Sequence, residues 1–433
     1  MKEKLITLWY FVQTRWLQKL RTRKSVERLQ SRMIRRHFAY LHTHSPYFAK
    51  RQLIRGIGDL QDLPIMDKAA SLASFNTMNT RGLKRDKALA IAIKSERTRN
   101  FTPTYNGVSV GLSSGTSGHR GLFVASDYER ASWAGAVLAK FLPKGSISGH
   151  RVAFFLRANN NLYESVNSRF ITFRYFDMYK DMTKLISELE QYEPTVLIAP
   201  PSVLGLIANA VEQKVISLHA QKVISVAEVL SVGDEKRFKR VFRQKYIYQA
   251  YQCTEGFLAH TCHEGSLHLN EDIVYIEKEF IDDRRFVPII TDFRRKTQPI
   301  VRYRLNDILV LSKKKCSCGM TTTVIDRIEG REDDIFLFKD KAGRTIKVFP
   351  DIIARCVIYT KGIGEYRVTQ TSHDTIVVQI DTQAATVRQA IAAEFANLAK
   401  KMSFVSPRIT FETYSLDMKR KLKRIERQFS ESS

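Results

Sequence analysis

Residues 110–121 concentrate Ser113, Ser114, Gly115, Thr116, Ser117 and Gly118 in one short segment, with Arg120 and Gly121 behind them. Glycines let successive backbone N–H groups turn toward one point, and hydroxyls add donors that rotate to suit. A concavity of such donors is what a polyphosphate needs. The Walker pattern is absent, because no Gly-Lys-Ser/Thr closes the loop. A plain connecting loop has the same composition, so other residues must decide. A second constellation is Cys262 and His268, spaced C-x5-H, followed later by Cys316 and Cys318 as C-x-C. Thiolates and an imidazole are the donors of a closed tetrahedral zinc site. His260 or His263 could stand in for His268, and the alternative is four unrelated side chains. A third feature is the basic run from Met418 to Ile425, with Lys419, Lys421 and Lys423 at alternate positions.

Elements able to position these residues follow from apolar patterning. Short apolar runs at 151–156, 195–199, 226–232 and 246–251 alternate with helical periodicity at 125–141, 182–192 and 202–213. Such alternation predicts an α/β fold whose parallel sheet is doubly wound, with helices on both faces and ligands at the strands' carboxyl ends. After about residue 270, strands at 273–281, 287–291 and 308–311 with little helix between them predict an antiparallel, barrel-like subdomain. A charged turn at 330–334 leads to strands at 365–371, 375–381 and 408–413 and helices at 350–357 and 386–399, a small mobile α+β C-terminal domain. The expected domains are a basic helical N-terminal extension at 1–55, a large N-terminal domain at 56–332 and a small lid at 333–433.

Composition narrows the classes. The 433 residues are 44% hydrophobic and 26% charged, which describes a globular protein. The formal charge of +26 implies an anionic partner: nucleotide, nucleic acid or lipid surface. Five cysteines exclude a disulfide scaffold and fit a reducing cytoplasm. The most apolar stretch, 195–211, is broken by Pro200, Pro201, Ser202 and Asn209, so no transmembrane span is expected. Leu5, Leu8, Trp9, Val12, Trp16 and Leu20 recur at helical spacing among basic residues. That basic amphipathic helix either lies on an anionic membrane surface, at the inner face of the membrane, or packs on its own domain.

Four stretches in this order resemble the signature of the adenylate-forming superfamily of acyl- and aryl-CoA ligases. They are the loop at 113–121, Tyr251-Gln252-Cys253-Thr254-Glu255, Arg302-Tyr303-Arg304-Leu305-Asn306-Asp307, and Gly330-Arg331-Glu332-Asp333-Asp334. Leu63-Pro64, Cys316-Ser317-Cys318-Gly319 and Val348-Phe349-Pro350 are similar to the phenylacetate–CoA ligase branch. The resemblance covers roughly residues 60–425. It implies that Ser113, Ser114, Gly115, Thr116, Ser117 and Gly118 grip the ATP phosphates, that Thr254 and Glu255 face the α-phosphate, and that Glu255 holds magnesium. It also implies Tyr251 near the adenine with Gly233 and Asp234 beside it, Asp307 on the ribose hydroxyls, and Arg331 at the ribose or phosphate. Asp333 would be the hinge and Lys421 the catalytic lysine, with Glu255 and Thr116 completing the catalytic set. Arg420 stands where relatives have glycine, and His119-Arg120 where they have Lys-Pro. Some members of the branch carry zinc at positions matching Cys262, His268, Cys316 and Cys318, and Cys253 lies inside the nucleotide motif instead.

The implied activity is ATP-dependent activation of a carboxylic acid as an acyl-adenylate. Transfer to a thiol such as coenzyme A follows, with AMP and pyrophosphate released. The alternatives are transfer to a carrier protein or a non-thiol acceptor, or a basic nucleic-acid- or membrane-binding protein with a degenerate nucleotide site. Polar residues in 159–164, Asn167 and 200–202 favour a small aromatic or hydroxylated acid over a long alkyl chain. Expected partners are that acid, coenzyme A or an acyl carrier protein, and the membrane through the N-terminal helix. No RNA or DNA module accompanies the charge, so no specific nucleic acid is expected.

Overall fold

A computed structural model of the chain describes every residue except Met1, Lys19, 113–120, Ser146, 158–170, Lys419 and 431–433. It divides into two compact units: Met1–Leu305 with Leu311–Arg327, and Asn306–Val310 with Ile328–Ser433. The division between the units falls inside the strand Val324–Arg331, shortly before Asp333.

The first unit opens with α1 (Lys2–Val12) and α2 (Arg23–His44). Next come α3 (Lys68–Met78), α4 (Arg85–Thr98), and a hairpin of β1 (Val108–Leu112) and β2 (Leu122–Ser126). The following helix, α5 (Asp127–Phe141), starts on a capping box in which Ser126 and Glu129 satisfy each other's backbone amides. Its Gly135 is required by close approach. A Cβ there would sit 2.3 Å from the Thr7 carbonyl oxygen and 2.9 Å from the Phe11 nitrogen. So α1 lies directly on α5, and Arg15 then donates to the Ala139 and Leu142 carbonyls at 2.9 and 3.0 Å, occupying the end of that helix.

The central sheet is built from β3 (His150–Leu156), β4 (Ile171–Asp177), β5 (Val196–Ala199), β6 (Lys222–Val226) and β7 (Tyr248–Cys253). These pair parallel in the order β4-β3-β5-β6-β7. Burial on both faces explains their unbroken apolar runs: every residue of β5 and β6 is buried. Helices α6 (Met182–Tyr192), α7 (Pro201–Glu212) and α8 (Val232–Val241) connect them. Beyond β7 the sheet continues antiparallel through β8 (Gly256–Thr261) and β9 (Leu267–Leu269). A further antiparallel set comprises β10 (Val274–Phe280), β11 (Arg285–Asp292) and β12 (Tyr303–Arg304). The expected strand at 226–232 is corrected to β6, four residues earlier. Ala227 turns the chain at φ +66°, and Ser231 caps α8 by accepting from the Asp234 amide at 3.1 Å.

In the second unit, strands Arg408–Thr413, Thr375–Ile380, Tyr366–Ser372 and Ile425–Arg427 form one sheet in that order. Helices Pro350–Ile358 and Ala385–Met402 contribute to the same core, which centres on Phe336, Phe338, Ile353, Val368, Val378, Ile391 and Phe395.

Candidate active site

The order β4-β3-β5 reverses the chain's direction of travel, so a crevice is expected at the carboxyl ends beside β3. Arg157 follows β3, Ser202 follows β5 and Glu228 follows β6. The Glu228 side chain is fully buried, meets Arg157 at 2.9 Å and accepts from the Ser202 amide at 3.1 Å. Arg99 joins them by donating to the Arg157 carbonyl at 2.9 Å and pairing with Asp177 at 2.7 Å. Sequence reasoning missed Arg99, Arg157 and Glu228, because no motif marks them. Gly233 and Asp234 lie in the first turn of α8, where Asp234 bonds back to the Ser231 hydroxyl at 2.8 Å.

Thr254 and Glu255 form the two-residue turn between β7 and β8, at the carboxyl end of the last parallel strand. They open on a cleft lined also by Lys68, Ser71, Leu72, Gly121, Leu122, Phe123, Arg295, Gln298, Ile300 and Tyr303. The six predicted phosphate-loop residues, Ser113, Ser114, Gly115, Thr116, Ser117 and Gly118, lie outside the described residues, as do 159–164 and Asn167. Gly121, the first described residue beyond that loop, is in the cleft wall with Glu255. Tyr251 is buried on β7.

The cleft is braced by long-range hydrogen bonds. Arg295 donates to the Thr254 carbonyl at 2.9 Å, while Gln298 takes the Val124 amide and donates to the Leu122 carbonyl, both at 3.0 Å. These bonds hold the turn at 254–255 and the strand after the loop to one segment. That segment is in turn held by Glu129, whose carboxylate accepts the Lys296 and Thr297 amides at 2.6 and 2.7 Å. Lys68 is placed by its neighbour Met66, which exchanges backbone bonds with Arg302 and Arg304, each 2.8 Å. Tyr303 hydrogen-bonds Glu255; burial, reinforced by that carboxylate, pushes its phenol far above the ordinary range and keeps it a donor. Two cations, one carboxylate and three hydroxyl side chains thus line one space.

In the second unit, Asp307 pairs with Arg331 at 3.3 Å, and Asn306 donates to Asp333 at 2.8 Å. Glu332 donates its amide to the Asn306 carbonyl at 2.8 Å, so the two motifs are stitched together. Lys423 pairs with the buried Asp334 at 2.9 Å; burial pushes that carboxyl up and Lys423 opposes the shift. Lys421 is half-buried on the segment before the last strand, and Lys419 lies outside the described residues.

Cys262, His268, Cys316 and Cys318 converge, with one donor atom from each lying within 4.8 Å of the others. Cys262 and Cys316 sulfurs are 3.6 Å apart, and Cys318 sulfur is 3.4 Å from His268 Nε2. Thr322 Oγ1 sits 2.9 Å from His268 Nδ1, which aims Nε2 at the cluster. His260 instead bonds Asn270 at 2.7 Å. Thr321 donates to the Leu20 carbonyl at 3.0 Å, and Arg23 grips Glu271 at 2.8 and 2.9 Å, tying the N-terminal segment to the cluster's loop.

No known family profile matches the chain. Among curated proteins it is 28% identical over 134 residues to indoleacetate–lysine synthetase of Pseudomonas savastanoi, covering 29% of this chain. The match spans 32% of that relative, about a third of its length. Among solved structures, 2-hydroxyisobutyryl-CoA ligase in the postadenylation state is similar with a TM-score of 0.69 at 13% identity, over 96% of this chain and 92% of that one. An amide bond synthetase from Marinactinospora thermotolerans follows at 0.54 and 11%, over 73% and 67%. ATP-bound MatB from Rhodopseudomonas palustris is similar at 0.52 and 14%, over 70% and 63%. The chain has the fold of the AMP-forming ligases, with a large α/β domain and a small C-terminal one.

Proposed function

We propose that this chain activates a carboxylic acid with ATP and passes the acyl group to a nucleophile. The observation that carries the reading is the cleft where Thr254 and Glu255, Lys68, Arg295 and the exit of the hydroxyl-rich loop meet. In the first half-reaction a carboxylate oxygen of the acid attacks the α-phosphorus of ATP. The bond to the bridging oxygen breaks, and pyrophosphate leaves. In the second, the acceptor attacks the acyl carbonyl and AMP departs with the bonding electron pair. Lys68 and Arg295 offset phosphate charge from fixed positions. Ser113 to Gly118 would supply amide and hydroxyl donors to the β- and γ-phosphates, and Thr254 the α-phosphate. Glu255, a hard oxygen donor hydrogen-bonded by Thr254 at 2.9 Å, suits a magnesium ion that would neutralise phosphate charge.

Asp307, oriented by Arg331, is assigned to the ribose hydroxyls, with Tyr251 near the adenine. The catalytic lysine is assigned to Lys421; the ion pair of Lys423 with Asp334 weighs against the neighbouring candidate. Within this reading the acid is a small aromatic one and the acceptor is coenzyme A. A second acceptor class, an amine, is favoured by the curated relative, whose name joins indoleacetate to lysine. We also assign Cys262, His268, Cys316 and Cys318 to a structural zinc ion, which the donor types and their mutual distances support.

The test is acid-dependent ATP–pyrophosphate exchange across aromatic and aliphatic acids. Exchange is expected with an arylacetic acid and lost in Lys421→Ala and Asp307→Ala. Absence of exchange with every acid would remove the activity. Adding coenzyme A or lysine to the adenylating enzyme then reads the acceptor, as thioester or amide.

A further inference from the structure

The N-terminal helix carries a face that its packing does not use. Thr7, Tyr10 and Phe11 press on Gly135 of α5, and the Tyr10 and Tyr128 hydroxyls meet at 2.7 Å. At 100° per residue, Leu5, Leu8 and Trp9 point to the opposite side. All three are exposed, by 63%, 57% and 56%, and Trp16 and Leu17 in the following turn by 49% and 59%. Two large aromatics and three leucines on one continuous segment exceed the scattered apolar exposure of ordinary surfaces. Charge borders the stripe: Lys2, Lys4, Arg21 and Lys24 are all exposed. Residues 1–24 hold seven Lys or Arg against a single Glu. Arg15, the basic residue nearest the two tryptophans, turns inward to the end of α5.

We propose that α1 and the turn after it lay this protein on an anionic phospholipid surface. Leu5, Leu8, Trp9, Trp16 and Leu17 enter the headgroup–acyl boundary while Lys2, Lys4, Arg21 and Lys24 meet lipid phosphates. Trp suits that depth because its indole is apolar with one polar N–H. Among the described residues no helix is long and apolar enough to cross a membrane, so the contact is in-plane. Charge decides the occupant. A second copy would bring basic residues against basic residues on a chain of net charge +26, whereas an anionic bilayer complements them. A nucleic acid satisfies the lysines but leaves the leucines in water. Because α1 rides on α5, bilayer and sheet are joined by a rigid helix pair. The inference is independent of which acid or acceptor the enzyme uses.

The experiment is co-sedimentation of the full chain with vesicles of equal parts phosphatidylglycerol and phosphatidylcholine, against phosphatidylcholine alone. Tryptophan emission is followed in parallel. The protein is expected to bind the anionic vesicles, to shift its emission to the blue, and to dissociate in salt on the order of 1 M. Lys2→Gln with Lys4→Gln is expected to weaken binding by on the order of tenfold or more. Leu8→Glu with Trp9→Glu is expected to abolish binding with an unchanged melting temperature, since both side chains are more than half exposed. Failure of the wild type to bind anionic vesicles would overturn the proposal, as would undiminished binding by Leu8→Glu/Trp9→Glu. So would a wild-type dimer that this variant makes monomeric, or tight binding to an oligonucleotide in place of lipid.

Discussion

Replacing Cys318 by serine should strip the protein of zinc and a measurable part of its stability. The size of the effect follows from how nearly the site is already assembled. With Zn–S near ~2.3 Å and Zn–N near ~2.05 Å, a tetrahedral ion has an S–S edge of about 3.8 Å and an S–N edge of about 3.6 Å. The Cys262–Cys316 and Cys318–His268 separations, 3.6 and 3.4 Å, lie within about 0.2 Å of these edges, and all four donor atoms lie within 4.8 Å of one another, so the donors are already gathered for an ion. A site built in the folded state and absent from the unfolded chain stabilises by linkage, about 4 kcal/mol when free metal exceeds its Kd by about a thousandfold. For a domain of this size that is a melting-temperature change on the order of 5–10 °C. Metal analysis and thermal melts, with and without a chelator, read both quantities. Wild type should carry one zinc per chain and lose the stated margin on chelation. Cys318→Ser should resemble the chelated protein, and Cys356→Ser, a buried cysteine of the other unit, should keep its metal. Protein expressed in zinc-replete medium that carries no metal would refute the reasoning. So would a Cys318→Ser variant with wild-type zinc content.

Two further outcomes are expected. Lys140 and Asp272 form a buried pair at 2.9 Å, with burial pulling the lysine down and Asp272 opposing it, so Asp272→Ala leaves an uncompensated ammonium. It should cost about 3–5 kcal/mol in denaturant unfolding, and a loss under ~1 kcal/mol would show the lysine is already neutral. His37 is held down to about 3 by burial and then by the positive charge of Lys296. Between its unfolded value near 6.5 and that point the unfolded chain binds the extra proton, so stability falls as pH drops through the window, by about 1.4 kcal/mol per unit. Asp292 acts in the opposite sense. Burial raises it to about 6, so its contribution is fully present below about 3.8 and is lost as pH rises toward 6. His37→Leu should therefore flatten acid destabilisation while Asp292→Asn steepens it, and parallel pH–stability curves for the three proteins would contradict both assignments.

The parallel strands were legible because burial on both faces writes itself as runs such as 195–199, and the convergence of Cys262, His268, Cys316 and Cys318 because few other roles use those donor types together. The end of β6 was not: a non-glycine residue at φ +66° has no sequence mark, and Val226 to Val232, largely apolar, reads as a strand across it. Nor were the residues that brace the cleft. Glu129 acts on amides 167 and 168 positions away, and Gln298 on strand residues 174 and 176 positions away. Their chemistry belongs to tertiary proximity, which motif spacing does not encode. Lys68 belongs to none of the motifs; its place beside Glu255 depends on the backbone pairing of Met66 with Arg302 and Arg304.

The bond between Leu20 and Thr321 spans 301 positions, and Arg23 reaches Glu271 across 248. At a ribosomal rate of about 5–20 residues per second, the partners of this strap follow it by roughly 15–60 s. For that interval a tryptophan- and leucine-bearing segment stands without the tether that later holds it. Newly made protein is then most exposed to capture by chaperones or neighbouring polysomes, and slowing elongation between the two ends should lower soluble yield more than slowing it afterwards.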